Sequence, residues 1–211
     1  MAEILKANLA GYQKAARLLM AGELVALPTE TVYGLAALAS HDLAVQNVYN
    51  VKNRELDLPV SICVFFQSQA EDICHIPFLA SQLMRAFWPG PLTLVLPKKG
   101  GMKISKYASP HLSSLGIRCP DIAWINAFTK LGFSSPLVLT SANISGNTNA
   151  VTAQDVNTQI GKHIPLILDG GPCKAQQASS VIAIRDNKAK ILRAGALTAE
   201  DFAHMKIDWQ A

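Results

Sequence analysis

No apolar run approaches the ~18 residues a membrane helix needs, and Met1 to Leu9 hold no charged stretch ahead of an apolar core, so neither a span nor a secretory leader is expected. Cysteine is scarce and scattered: Cys63, Cys74, Cys119 and Cys173 form no CxxC pair and no secreted disulfide framework, which fits reduced thiols and a cytoplasmic location. Charged residues make up only 16% of the 211 positions, and no lysine or arginine block exceeds Lys98-Lys99. The formal net charge of +4 therefore permits an acidic ligand or RNA without demanding either. His41, His75, His111, His163 and His204 have no ligand spacing and read as surface or capping residues, so no protein-ligated metal is expected. Also absent are GxxxxGK(S/T), GxGxxG after a strand, HExxH and GxSxG, which removes the common nucleotide, metalloprotease and hydrolase signatures. Paired carboxylates are missing from the polar segments described below, which argues against catalysis by two acids.

Half of the residues are apolar, enough for the core of one large domain over residues 1–211. Asn8 caps a predicted helix whose apolar positions Leu9, Tyr12, Ala15, Ala16, Leu19 and Met20 recur at threes and fours until Gly22. Further helices are expected over Asp42 to Val51, around Glu71, from Phe78 to Phe87, from Pro120 onward, and after Thr152, where Asp155 completes a reciprocal cap. Strands are expected at Leu24 to Leu27, Pro59 to Phe66, Leu92 to Leu96, Leu115 to Cys119, Pro136 to Thr140, Pro165 to Leu168, Ser180 to Ile184 and Lys190 to Arg193. Helices and strands alternate without a break in composition. The expected architecture is a single α/β domain, a twisted open mixed sheet with flanking helices.

Three polar segments adjoin the apolar runs. In Pro28-Thr29-Glu30-Thr31-Val32-Tyr33-Gly34-Leu35 a proline stops the preceding strand, releasing hydroxyls and amides into a loop that either faces a ligand or merely caps itself. Lys52 and Arg54 place two cations at a helix end, suited to a polyanion or, more plainly, to the helix dipole. Ser141 and Asn143 follow the run Leu137 to Leu139, and ligands of α/β sheets lie beyond strand carboxyl ends. Arg118 and Arg193 also close apolar strands, so four cations are expected to meet at one edge of the sheet. A buried acidic partner for each arginine is the competing explanation.

In their order and spacing these segments resemble the YrdC family of threonylcarbamoyl-AMP synthases, from about Gly22 to Ala196. Trp88-Pro89-Gly90-Pro91-Leu92-Thr93-Leu94 and Gly116-Ile117-Arg118-Cys119-Pro120-Asp121 carry the likeness with the KxR pair Lys52/Arg54 and the SxN pair Ser141/Asn143. The resemblance implies an ATP-dependent nucleotidyltransferase that joins L-threonine and bicarbonate or CO2 to AMP, releasing pyrophosphate. Its product would serve threonylcarbamoyladenosine formation next to the tRNA anticodon, through a downstream threonylcarbamoyl transferase. Carried over by position, Thr31, Arg118, Leu139 and Ser179 would bind threonine. Arg54, Ser114, Ser141, Asn149 and Arg193 would bind ATP, and Lys52, Arg54, Ser141 and Asn143 would serve catalysis. Mg2+ is expected only as the companion of ATP, and contact with tRNA or other RNA is compatible with the charge. The sequence departs from the family pattern at Leu58, Cys63, Ala183 and Ala194. Relatives with a separate C-terminal domain are longer, so closure over the product would rest on loops such as Lys98 to Ser109. An RNA-binding module of the same fold, without adenylate formation, is the alternative.

Overall fold

The structure, a computed structural model, describes residues 1–210. Its helices are α1 (Leu9–Met20), α2 (Asp42–Lys52), α3 (Gln67–Ile73), α4 (Phe78–Phe87), α5 (Ala123–Lys130) and α6 (Ala153–Ile160). Its strands are β1 (Glu3–Lys6), β2 (Val25–Leu27), β3 (Gly34–Leu38), β4 (Ile62–Cys63), β5 (Leu92–Pro97), β6 (Ser114–Arg118), β7 (Leu137–Ser141), β8 (Leu166–Asp169), β9 (Ser180–Arg185) and β10 (Lys188–Arg193).

Capping sets the helix starts, each such bond contributing about 1 kcal/mol. Asn8 Oδ1 accepts from the Gly11 amide at 3.1 Å, and His41 Nδ1 accepts from the Ala44 amide at 3.1 Å, so this histidine is the capping residue the sequence suggests. Thr152 and Asp155 cap one another's backbone, as expected. The predicted start at Pro120 is displaced. Asp121 donates its amide to Glu30 Oε1 at 3.3 Å and Ile122 is extended, so helical geometry begins only at Ala123.

All ten strands form one mixed sheet in the order β1-β8-β2-β3-β7-β4-β6-β5-β9-β10. Strands β1 and β3 were not expected, and of Pro59 to Phe66 only Ile62–Cys63 forms a strand; before it, Val60 turns aside to donate to the Ala108 carbonyl at 2.9 Å. Side chains alternate between the two faces, and cross-strand partners share a face. On one face Ala26, Leu35, Ala37, Val138 and Ile62 pack beneath α2, α3, α4 and α6. On the other, Val25, Leu27, Ala36, Leu137, Leu166 and Leu168 pack beneath α1 and α5. There Phe65, Trp124, Phe128 and Phe133 form an aromatic cluster with ring centroids 5.3 to 6.4 Å apart. Burial of each ring stabilises the fold by roughly 2–3 kcal/mol.

Among the described residues, β5, β6, β9 and β10 give nothing to this second core. The register shows what occupies their half of the face. Cys63 pairs with both Leu137 and Arg118; Leu139 and Ser141 follow Leu137 at steps of two on β7. Thr93 lies level with Arg118 because Leu94 pairs with Ile117, and Val181 joins Thr93 to Arg193. Polar and cationic groups thus take the positions that, on the other half, are apolar and covered by helices. Among the described residues no helix is long and apolar enough to cross a membrane.

Candidate active site

The uncovered half of that face holds a cavity of about 150 Å³. Its walls come from the loop between β2 and β3, from Arg54 and residues 59–63, and from the middle and end of β7. Thr93, Arg118, Ser179 and Arg193 complete it. The cations do not meet at one edge of the sheet, as the sequence suggested. Strand β4 runs parallel to β6 but antiparallel to β7, so the carboxyl ends of β6 and β7 point in opposite directions. What unites Arg118 and Ser141 is the face they share, with the loop after Pro28 folded across it. Gly34 permits that approach: a Cβ there would lie 2.5 Å from Leu139 Cδ1.

Arg118 is the most engaged of the three guanidinium groups. Its Nε donates to the Gly90 carbonyl at 3.0 Å, Nη1 to Thr31 Oγ1 at 3.1 Å, and Nη2 to Glu30 Oε1 at 2.6 Å. Thr31 Oγ1 lies 2.8 Å from Thr29 Oγ1, which accepts the Thr31 amide, so the threonine loop is a closed hydroxyl network. The self-capping reading of this loop is realised, and the same loop also lines the cavity. The competing account of Arg118, a buried acid, is also realised: Glu30 is that partner, and its second oxygen is buried without a hydrogen bond among the described residues.

Arg193 donates from Nε and Nη2 to the Ser179 carbonyl, at 3.2 and 2.8 Å, and from Nη2 to Ser179 Oγ at 3.2 Å. Ser179 Oγ in turn lies 2.8 Å from Thr93 Oγ1. Arg54 donates to the carbonyls of Leu58 and Pro59, at 3.3 and 3.0 Å. It reaches the cavity because Asn53 ends α2 in the left-handed conformation, at φ 48°. Burial holds the Arg193 guanidinium below its ordinary pKa, and the charges of Arg118 and Arg54 push in the same direction. Three guanidinium groups thus face one cavity whose neighbouring carboxylate, Glu30, pairs with only one of them. Such an arrangement is built for an anion. Burial raises the Cys63 thiol far above its usual range, so this wall residue is no thiolate nucleophile.

A family profile described as "Telomere recombination", for Sua5, YciO and YrdC, matches residues 17–195. The chain belongs to the Sua5/YciO/YrdC family. Among its relatives, the threonylcarbamoyl-AMP synthase of Bacillus subtilis is 38% identical over 188 residues, which are 89% of this chain and 54% of that enzyme. A Methanocaldococcus jannaschii protein provisionally given the same name is 35% identical over 185 residues, 86% of this chain and 84% of that protein. The crystal structure of Pyrococcus abyssi Sua5 complexed with L-threonine superposes with a TM-score of 0.90 at 32% identity, covering 100% of this chain and 62% of that one. The chain thus spans most of one relative and about half of another. The mixed open sheet with flanking helices is the fold of this family.

Of the positions assigned roles through the family resemblance, Thr31, Arg54, Arg118, Leu139, Ser141, Ser179 and Arg193 all line the cavity. Four others do not. Ser114 stands on the same face of β6, beyond Gly116; Asn149 sits in the loop after β7, next to Ala150, whose carbonyl accepts the Tyr33 amide. Lys52 and Asn143 are buried behind the wall, at 1% and 4% exposure. Cys63 is part of the wall and Leu58 is exposed beside it. Glu30 and Thr93 belong to the site although the family resemblance assigns them no role. Thr93 could have been found as a hydroxyl interrupting an apolar strand, but no local signal marks Glu30 as the partner of Arg118. The segment Lys98 to Ser109 contributes nothing to the cavity wall. It is fastened elsewhere, Lys99 to the Ile73 carbonyl and Ser105 to the Ala39 carbonyl. Among the described residues no group of His, Cys, Asp and Glu is placed to hold a metal ion.

Proposed function

We propose that the protein is a short, single-domain L-threonylcarbamoyladenylate synthase, joining L-threonine and bicarbonate or CO2 to the AMP moiety of ATP with release of pyrophosphate. The observation that carries this reading is the cluster of Arg54, Arg118 and Arg193 around one cavity with a single nearby carboxylate. A triphosphate and an amino-acid carboxylate supply the missing negative charge. Arg118, held in place by Glu30 and Gly90, retains N–H groups for the threonine carboxylate, while Thr31, Leu139 and Ser179 surround the amino acid. The Ser141 hydroxyl, which has no hydrogen-bond partner among the described residues, joins Arg54 and Arg193 at the phosphates. The row left bare by Gly116 leads from there toward Ser114 for the rest of the nucleotide.

In this reading the threonine amine adds to CO2 to give a carbamate, whose oxygen attacks the α-phosphorus as pyrophosphate departs. Guanidinium groups already in position stabilise the charge that shifts to the leaving oxygens. Enclosure keeps water from a carbamate that decomposes readily. Mg2+ enters with ATP as part of the substrate. The product is handed to a tRNA threonylcarbamoyl transferase, with direct tRNA contact and a cytoplasmic setting as further parts of the proposal. Three cations facing a small cavity do not form the open track that an RNA backbone needs, which disfavours a pure RNA-binding module.

The test is pyrophosphate release by the pure protein from ATP, Mg2+ and bicarbonate, with and without threonine. Threonine-dependent release is expected, and Arg118→Ala is expected to lower kcat/KM for threonine about 100-fold by removing charge-assisted hydrogen bonds. Release that ignores threonine would end the proposal.

A further inference from the structure

Lys52 is half of the KxR pair, yet it does not share the fate of Arg54. Its ammonium donates to the main-chain carbonyls of Ser141 and Asn143, the latter at 2.8 Å, and to Asn143 Oδ1 at 3.2 Å. An ammonium carries three N–H bonds and no more, and here each has an oxygen acceptor. The group is 1% exposed and absent from the cavity wall. A phosphate could take one of these donors only by stranding a buried oxygen. Among the described residues no carboxylate pairs with it, and the oxygens that hold the charge are neutral.

Around Lys52 the chain is tied at several points. The Lys52 carbonyl accepts the Ser145 amide at 2.8 Å, Asn143 Nδ2 donates to the Asn147 carbonyl at 2.7 Å, and the Ala142 amide donates to the Tyr33 carbonyl at 2.8 Å. The end of α2 and the turn after β7 therefore meet at one buried ammonium, and the threonine loop is tied to that turn. Of the residues it holds, only Ser141 reaches the cavity. Two residues further on, past the left-handed Asn53, Arg54 points its guanidinium at the same cavity.

We propose that Lys52 and Asn143 form a buried brace that touches neither substrate and acts through the placement of Ser141, while Arg54 alone of the KxR pair contacts phosphate. This rests on the adenylate-forming reading above and divides its KxR and SxN pairs differently: one residue of each faces the ligand, and one of each holds the wall.

Lys52→Met, Asn143→Ala, the double variant and Arg54→Ala separate the two roles. Circular dichroism and thermal melts establish folding, titration calorimetry measures binding of inorganic tripolyphosphate, and pyrophosphate release measures turnover. Arg54→Ala is expected to weaken tripolyphosphate about tenfold or more, whereas Lys52→Met changes it by less than about threefold. In turnover, Lys52→Met and Asn143→Ala should each lose on the order of tenfold to 100-fold, and the double variant should be no worse than the weaker single variant by more than about threefold, because the two act as one unit. Equal weakening of tripolyphosphate by Lys52→Met and Arg54→Ala, or turnover losses that multiply in the double variant, would overturn the brace. If Lys52→Met does not fold, Asn143→Ala carries the test: unchanged tripolyphosphate affinity with lowered turnover supports the brace, and weakened affinity defeats it. A wild-type protein without threonine-dependent pyrophosphate release would sink the adenylate reading, and the tripolyphosphate comparison would still decide the brace.

Discussion

One face of the sheet carries two kinds of surface. Beneath α1 and α5 it presents Val25, Leu27, Ala36, Leu137, Leu166 and Leu168, with Cys63 and Leu139 at the border; beyond them the same alternation presents Thr93, Arg118 and Ser141. Backbone and period are alike, so the difference lies in what covers the strands. Where helices cover it, apolar side chains add stability. Where none does, polar groups stand in a cavity whose positive charges repel one another, a cost to folding.

The largest effect that would sharpen this contrast is expected on the covered half. Phe128→Ala should lower unfolding free energy by about 3–5 kcal/mol, read by urea denaturation, while kcat/KM per folded molecule stays near wild type. A fall in kcat/KM equal to that of a cavity variant would show that the halves are coupled.

The next effect belongs to the support behind the open half and depends on pH. Burial, with the Arg54 charge as second cause, lowers the Lys52 ammonium from 10.5 to about 8. Between those values the unfolded chain keeps a proton that the folded chain has released, so this group makes stability rise as pH increases. The gain approaches about 3 kcal/mol at most once the upper value is passed. Urea curves for wild type and Lys52→Met at about pH 7 and about pH 10 should show wild type gaining relative to the variant. A difference independent of pH would show that Lys52 keeps its ordinary affinity for the proton.

The smallest effect is expected from Thr93→Val, which keeps shape and removes the hydroxyl 2.8 Å from Ser179 Oγ. Melting should stay within a few degrees and turnover should fall about tenfold or less, mostly through the KM for threonine. A loss of stability instead would move Thr93 to the structural side of the comparison.

Much of this was legible in the chain. Asn8, Thr152 and Asp155 announce their helices because capping is local, and seven of the positions assigned roles through the family resemblance line the cavity. What was not legible is non-local. Strand β3 begins with Gly34 and carries Ala36 and Ala37, weak strand formers held by β2 and β7 on either side. The start of α5 depends on Glu30, distant in sequence, taking the Asp121 amide. That Lys52 turns inward while Arg54 turns outward follows from one left-handed residue between them, and neither helix period nor composition reveals it. The gathering of the site on a face instead of an edge follows from the reversal of direction between β6 and β7, which only the register shows.

Arg193, which lines the cavity, hangs on β10, an outermost strand of the sheet, paired along one side by β9 and with its backbone bonded on the other only through Ala189, to Asp208 and Gln210, among the described residues. Outer strands open more readily than the interior of a sheet. Fraying of that margin would carry one guanidinium away from the cavity and leave the aromatic interior intact, so under the proposed function catalytic competence is the first property that warming or denaturant should erase.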